Sequence, residues 1–233
     1  MSAGPCWPRR VLIKPASGTV RNAPAATAWR RRTRSTEYPL PSHAGARNRN
    51  PWSTFAAADG DGYELNMGRW SRHLAQRFLD FTGLSEGEQV LDVGRGTGHL
   101  AAAVAGRVAS VGVRGVDISP VYVDHTKAHH PDPRVSFEVG DAFALSHASG
   151  TFDRVLSLLV LHFVPNWRAA IPEMRRVAKP GATVAATVWD ARGGFVANRL
   201  FFDTAAALDP RAGERRAKNF TRPLTRPGEL AAA

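Results

Sequence analysis

The stretch Val90-Leu91-Asp92-Val93-Gly94-Arg95-Gly96-Thr97-Gly98 sets an acid two residues ahead of three alternating glycines. Glycine at Gly94, Gly96 and Gly98 lets a ligand lie against the backbone with no Cβ in the way. A helix starting at Thr97 would offer free amide donors to an anion or a polar group. Three further stretches suit the same work. Asp117 closes an apolar run, where a carboxylate can accept both hydroxyls of a ribose. Gly140-Asp141-Ala142 suits an adenine edge, and Ser157 through Phe163 follows a later apolar run. A lone glycine loop is a weak signal, and a lone strand-end acid is ordinary surface. Three acids after three successive strands, beside that loop, make those bland readings poor ones.

The spacing of the loop is G-x-G-x-G, not the G-x-G-x-x-G of dinucleotide sites. Asp92 beside the loop would repel a pyrophosphate but would attract an ammonium or sulfonium. The charges therefore favour S-adenosylmethionine over a nicotinamide dinucleotide.

Elements of alternating type must hold these residues. Apolar runs at 88–93, 110–117, 134–139, 152–159 and 182–189 predict strands. Between them, 97–107, 119–130 and 166–178 predict helices, with 71–82 before and 195–208 after. Ser71 is expected to cap the first helix and Gly83 to close it. Such alternation, with nearly continuous apolar strands, predicts an α/β fold. Its core is a doubly wound, Rossmann-like, mostly parallel sheet covered on both faces. Ligands in that fold sit at the carboxyl ends of the strands, where the strand order reverses.

Net charge is +11 over 233 residues, which invites a nucleic-acid reading. The charge is uneven, however. Residues 1–50 hold ten Arg and Lys against Glu37 alone, leaving a balance of only +2 for 51–233. With six prolines and no sustained periodicity, 1–50 is expected to be a disordered basic arm. Arg30-Arg31-Arg32-Thr33-Arg34 could meet nucleic acid, and the composition partly resembles a transit peptide. An inert arm or a start placed too far upstream is the favoured reading. Cys6 is the single cysteine, which excludes an internal disulfide and any multi-cysteine metal site. No apolar run is long enough to span a bilayer, and a cytoplasmic location is expected. His43, His73, His99, His125 and His147 suggest no metal grouping, so no metal is expected.

Taken together, the motifs resemble class I S-adenosylmethionine-dependent methyltransferases. The likeness is strongest to the small-molecule branch that includes ubiquinone and menaquinone biosynthesis methyltransferases. It rests on Y-E-L-N-M-G-R-W-S-R at 63–72, the glycine loop, V-D-I-S-P at 116–120 and G-D-A at 140–142. F-D-R-V-L-S-L-L-V-L-H-F at 152–163 and E-M-R-R-V-A-K-P-G at 173–181 extend it. The resemblance implies that Gly94, Gly96 and Gly98 cradle the methionine half, with Asp92 near its ammonium. It implies that Asp117 holds the ribose, Ile118 packs on the adenine, and Asp141 and Ala142 read the adenine edge. Ser157 and Leu158 would line the floor near the methyl group, with Tyr63 and Arg72 above the cofactor. The acceptor would be a small molecule, and His162 is the candidate base should the acceptor have to lose a proton.

Two departures stand out. Arg95 replaces a small loop residue, so its guanidinium would either clamp the cofactor carboxylate or intrude on the ligand. The family closes its sheet with two further strands, which this chain lacks, so 51–233 reads as a C-terminally truncated domain. The strand at 182–189 is then expected to be an open edge prone to self-association. A weakly binding, non-catalytic remnant and a nucleic-acid methyltransferase using the arm are the alternatives.

Overall fold

A computed structural model describes residues 10–16, for their backbone, and 60–233 apart from 110, 130, 191–195 and 227. The chain runs β1 (Arg10–Ala16), α1 (Gly60–Tyr63), a π-helical turn Glu64–Gly68, α2 (Arg69–Thr82) and β2 (Gln89–Val93). It continues through α3 (His99–Arg107), β3 (Gly112–Asp117), α4 (Pro120–His129), β4 (Val135–Val139) and β5 (Phe152–Leu158). A short 3-10 turn at Leu161–Phe163 leads to α5 (Trp167–Val177), β6 (Ala178–Trp189), α6 (Val196–Leu208) and α7 (Pro210–Phe220).

The strand order is β1-β6-β5-β2-β3-β4, and every pairing is parallel. From β2 the chain builds outward through β3 and β4, then returns to lay β5 on the other side of β2. The order therefore reverses between β2 and β5, where their carboxyl ends leave a crevice. Successive strand residues face opposite sides, and both sides are apolar. Val90 and Leu156 pack with Phe78, Leu79, Leu100 and Val104 on one face. Leu91 and Val155 pack with Phe152, Leu161, Met174 and Val184 on the other. Leu224 and Leu230, beyond α7, are buried in that second cluster.

Three expectations need correction. Ser71 does not cap α2: the helix is entered from α1 through the π turn, and Ser71 is buried within it. Gly83 does close it, at φ +72°, with its N–H donating to the Leu79 carbonyl at 2.9 Å. β6 starts at Ala178 rather than 182, because Ala178 pairs with Phe152 ahead of a register shift at Phe152/Arg154.

The third concerns the arm and the open edge. The backbone of Arg10–Ala16 forms a strand in register with Thr183–Trp189, so the outer side of β6 is paired and 1–50 is not wholly without structure. Val11-Leu12-Ile13 is an apolar, mostly β-branched run, the residue type that completes a sheet. An unpaired ladder edge is what such a run relieves. The expected open edge of β6 is therefore occupied by β1. The rest of the arm, with Arg30 through Arg34, lies outside the described residues, as do 51–59. No helix among the described residues is long and apolar enough to cross a membrane.

Candidate functional site

At the crevice the glycine loop and the ends of β3 and β4 are tied together through Val116 and Asp117. The N–H groups of Gly94 and Arg95 donate to the Val116 carbonyl at 2.8 and 3.2 Å. The Gly96 N–H donates to Asp117 Oδ2 at 2.8 Å, and the Ser119 N–H donates to Oδ1 at 2.9 Å. The Gly140 N–H donates to the Asp117 carbonyl at 3.0 Å, which brings the β4 end alongside. Gly94, Gly96 and Gly98 have φ of +73°, +54° and +91°, which explains glycine at all three. At Gly94 there is a second reason, since a Cβ would run into the Val160 side chain.

These residues line a cleft that is open to solvent on one side. Of the expected residues, Tyr63, Gly94, Arg95, Gly96, Asp117, Ile118, Asp141, Ala142 and Leu158 line it. Gly98 shapes the turn behind. Asp92 lies just beneath, 0% exposed, and neither carboxylate oxygen has a side-chain partner. Burial raises its pKa to about 7, outweighing the nearby Arg95 charge and a weak backbone amide that pull it down. Asp117 and Asp141 are also raised by burial, each opposed by backbone amides. Ser157 is fully buried in β5, with its hydroxyl unpaired.

Arg95 is held by contacts within the protein itself. It is 5% exposed, and its guanidinium lies 4.2 Å above the Phe137 ring. One nitrogen donates to Thr126 Oγ1 and, at 3.2 Å, to the Gly96 carbonyl. Its stem fills the space above Gly115, where a Cβ would collide with it. The side chain is thus stored between α4 and the sheet. Burial lowers its pKa, while Asp117 and Asp92 raise it.

Two expected residues stand apart. His162, in the 3-10 turn, is 2% exposed and does not join the cleft lining. Desolvation, helped by Arg222, lowers its pKa to about 3, so it is neutral. Arg72 points outward, its side chain 66% exposed, in a 3.6 Å ion pair with Glu64.

The residues that sequence reasoning missed come from the helical cover. Ser71, His99 and Tyr122 line the cleft, joined by Thr97, Val160 and Phe163 from stretches already marked in the sequence. Tyr63 Oη lies 3.4 Å from Ser71 Oγ, and its ring is 5.4 Å from that of Tyr122. His99 opens α3, with Nε2 2.8 Å from Glu64 Oε1. Burial lowers the His99 pKa and the Glu64 charge opposes the shift. The position of His99 directly after Gly98 was the available signal. The structure also gathers Asp61, His125 and His129, which sequence reading left ungrouped.

This geometry can hold a nucleoside at Asp117 and Asp141 and a cationic amine above Asp92. The orphaned, buried Asp92 carboxyl is the observation that fits the ammonium end of S-adenosylmethionine.

Comparison with known proteins agrees. Residues 90–181 match the methyltransferase domain family. A methyltransferase of Streptomyces halstedii, GfsG, is 31% identical over 116 residues, spanning 48% of this chain and 41% of the relative. Norajmaline N-methyltransferase of Rauvolfia serpentina is 37% identical over 101 residues, spanning 42% of this chain and 34% of the relative. The chain thus spans well under half the length of these relatives. A solved S-adenosylmethionine-dependent methyltransferase from Aquifex aeolicus superposes with a TM-score of 0.52 at 22% identity, over 57% of this chain and 74% of that one, and shows the shared fold. The matches do not single out the ubiquinone and menaquinone branch. With the fold and this domain match in agreement, residues 90–181 are similar to the methyltransferase domain, on the fold that S-adenosylmethionine-dependent methyltransferases share.

Proposed function

We propose that this protein transfers a methyl group from S-adenosylmethionine to a small-molecule acceptor. The observation that carries the proposal is the buried Asp92 carboxyl, unpaired beneath a glycine loop that is itself bonded to Asp117. A site for a phosphate would place a positive group there, not an acid. Norajmaline N-methyltransferase and erythromycin 3''-O-methyltransferase, both among the relatives, bear names of small-molecule enzymes, which supports the acceptor class.

In this reading Asp117 receives the ribose hydroxyls through lone pairs not used by Gly96 and Ser119. Ile118 and Ala142 flank the adenine, and Asp141 takes its amine. The glycine loop carries the methionine half, and Asp92 loses its proton to meet the ammonium. Leu158 forms the floor, while Ser157, fully buried in β5, does not join the lining. Bound there, the cofactor supplies an electrophilic methyl on a sulfonium, which needs orientation and dryness more than acid–base help. The chain provides both: Tyr63 and Tyr122 roof the loop, and Leu158, Val160 and Phe163 keep the reacting end apolar. The neutral, enclosed His162 takes no proton in this scheme, and Arg72 stays outside it.

The test is transfer of tritium-labelled methyl from the cofactor in a crude extract, sorted into small-molecule, protein and nucleic-acid fractions. Label in the small-molecule fraction, lost with Asp117→Ala, is expected. Label confined to nucleic acid or protein would overturn the acceptor class.

A further inference from the structure

The first turn of the helical cover meets α4 at three residues that no cofactor role uses. Asp61 on α1 and His125 and His129 on α4 bring one ligand atom each to within 4.8 Å of one another. Asp61 Oδ1 and His125 Nε2 are 3.1 Å apart. Two bonds of about 2.1 Å to a shared metal place their donor atoms roughly 3.3–3.5 Å apart in a tetrahedral site. That pair is already at the spacing such a site asks for. The third donor closes in by up to about 1.5 Å through a torsional adjustment of the exposed His129 side chain.

The ring chemistry is also prepared. His129 Nδ1 donates to the His125 carbonyl at 2.7 Å. That bond leaves the lone pair on Nε2, the tautomer that ligates. The two imidazoles are one helical turn apart and stacked, with centroids 4.1 Å apart. Gly60 lies flush on the His125 ring, where any Cβ would collide with it, so α1 approaches the imidazole as closely as a backbone can.

We infer that Asp61, His125 and His129 form a site for a divalent transition metal of the borderline class, such as Zn²⁺. Two imidazoles and one carboxylate suit that class, with solvent in the remaining position. The metal spans two elements and so fastens α1 to α4. Tyr63, two residues after Asp61, lines the cofactor cleft, so the fastening fixes one side of its roof.

The experiment is a titration of the full metal-free chain with Co²⁺, read by its visible absorption, with Zn²⁺ displacing the signal. One Co²⁺ per chain with a tetrahedral or five-coordinate spectrum is expected. Asp61→Asn, His125→Ala and His129→Ala should each weaken binding at least tenfold, with circular dichroism confirming that each variant folds. His73→Ala, at an exposed position of α2, is the control and should bind as the unaltered chain does. Absence of a ligand-field band, or equal binding by all the variants, would overturn the site. Loss with the histidine variants but full retention in Asp61→Asn would overturn the bridge between α1 and α4.

Discussion

The wall of the cleft built from the ends of β2, β3 and β4 is held by backbone groups, while the roof contributed by α1, α2 and α4 is held by side chains. On the first wall, amides of Gly94, Arg95, Gly96, Ser119 and Gly140 all close on Val116 and Asp117 within 3.2 Å. On the roof, Tyr63 meets Ser71 only at 3.4 Å, and Glu64 is shared between His99 and Arg72. A wall made of backbone bonds constrains residue type through φ and Cβ space. A roof made of side chains can exchange them at small cost.

Breaking the wall should cost far more than breaking the roof. Gly94→Ala forces a side chain onto a residue at φ +73° and into Val160. Strain and overpacking together are worth about 2–4 kcal/mol. A thermal melt should show a drop of many degrees, and binding of S-adenosylhomocysteine should vanish.

Asp92 gives the next effect, and its sign follows from burial. In the folded chain the carboxyl keeps its proton up to about pH 7. In the unfolded chain it ionises near pH 4. Its contribution to stability is therefore greatest below about pH 4 and falls as pH rises toward 7. Asp92→Asn should remove that decline in urea melts followed across pH. Cofactor binding favours the ionised form, so affinity should rise with pH, by up to ~10-fold per unit below about pH 7. The Asn variant should bind weakly and without that dependence.

Arg95→Cys separates storage of the side chain from a direct clamp. With its guanidinium over Phe137, the loss should fall on stability, by about 1–3 kcal/mol, through the emptied space above Gly115. Affinity for S-adenosylhomocysteine should move by less than about threefold, equivalent to under ~0.7 kcal/mol. A tenfold loss would restore the clamp. Arg72→Ala should do least: an exposed ion pair is worth about 0–1 kcal/mol, and calorimetry should find binding nearly unchanged.

The same contrast explains what the sequence revealed. Gly94, Gly96, Asp117 and Asp141 were legible because a backbone wall admits few residue types, and because strand periodicity fixes where each strand ends. The roof was not legible in that way. Ser71 reads as a cap, yet it is buried because the helix is entered through a π turn that no residue pattern announces. His162 follows β5 as a base should, but its turn folds the ring into the core. Asp61 and His125 are 64 residues apart in sequence, and only the docking of α1 on α4 joins them. The pairing of Arg10–Ala16 with β6 was hidden for a similar reason, since one short apolar run inside a basic, proline-rich stretch carries little weight until a partner edge is known.

The central claim is that the β2–β3–β4 wall is a binding site for the nucleoside of S-adenosylmethionine, anchored by Asp117. Isothermal titration of the chain and of Asp117→Ala with S-adenosylhomocysteine tests it directly. Removing the carboxylate deletes two ribose bonds to a charged group, worth ~1.5–3 kcal/mol each. The account predicts one site in the unaltered chain and an affinity at least a hundredfold weaker in a folded Asp117→Ala variant. Equal affinity in the two proteins, or no binding to the unaltered chain, would contradict it.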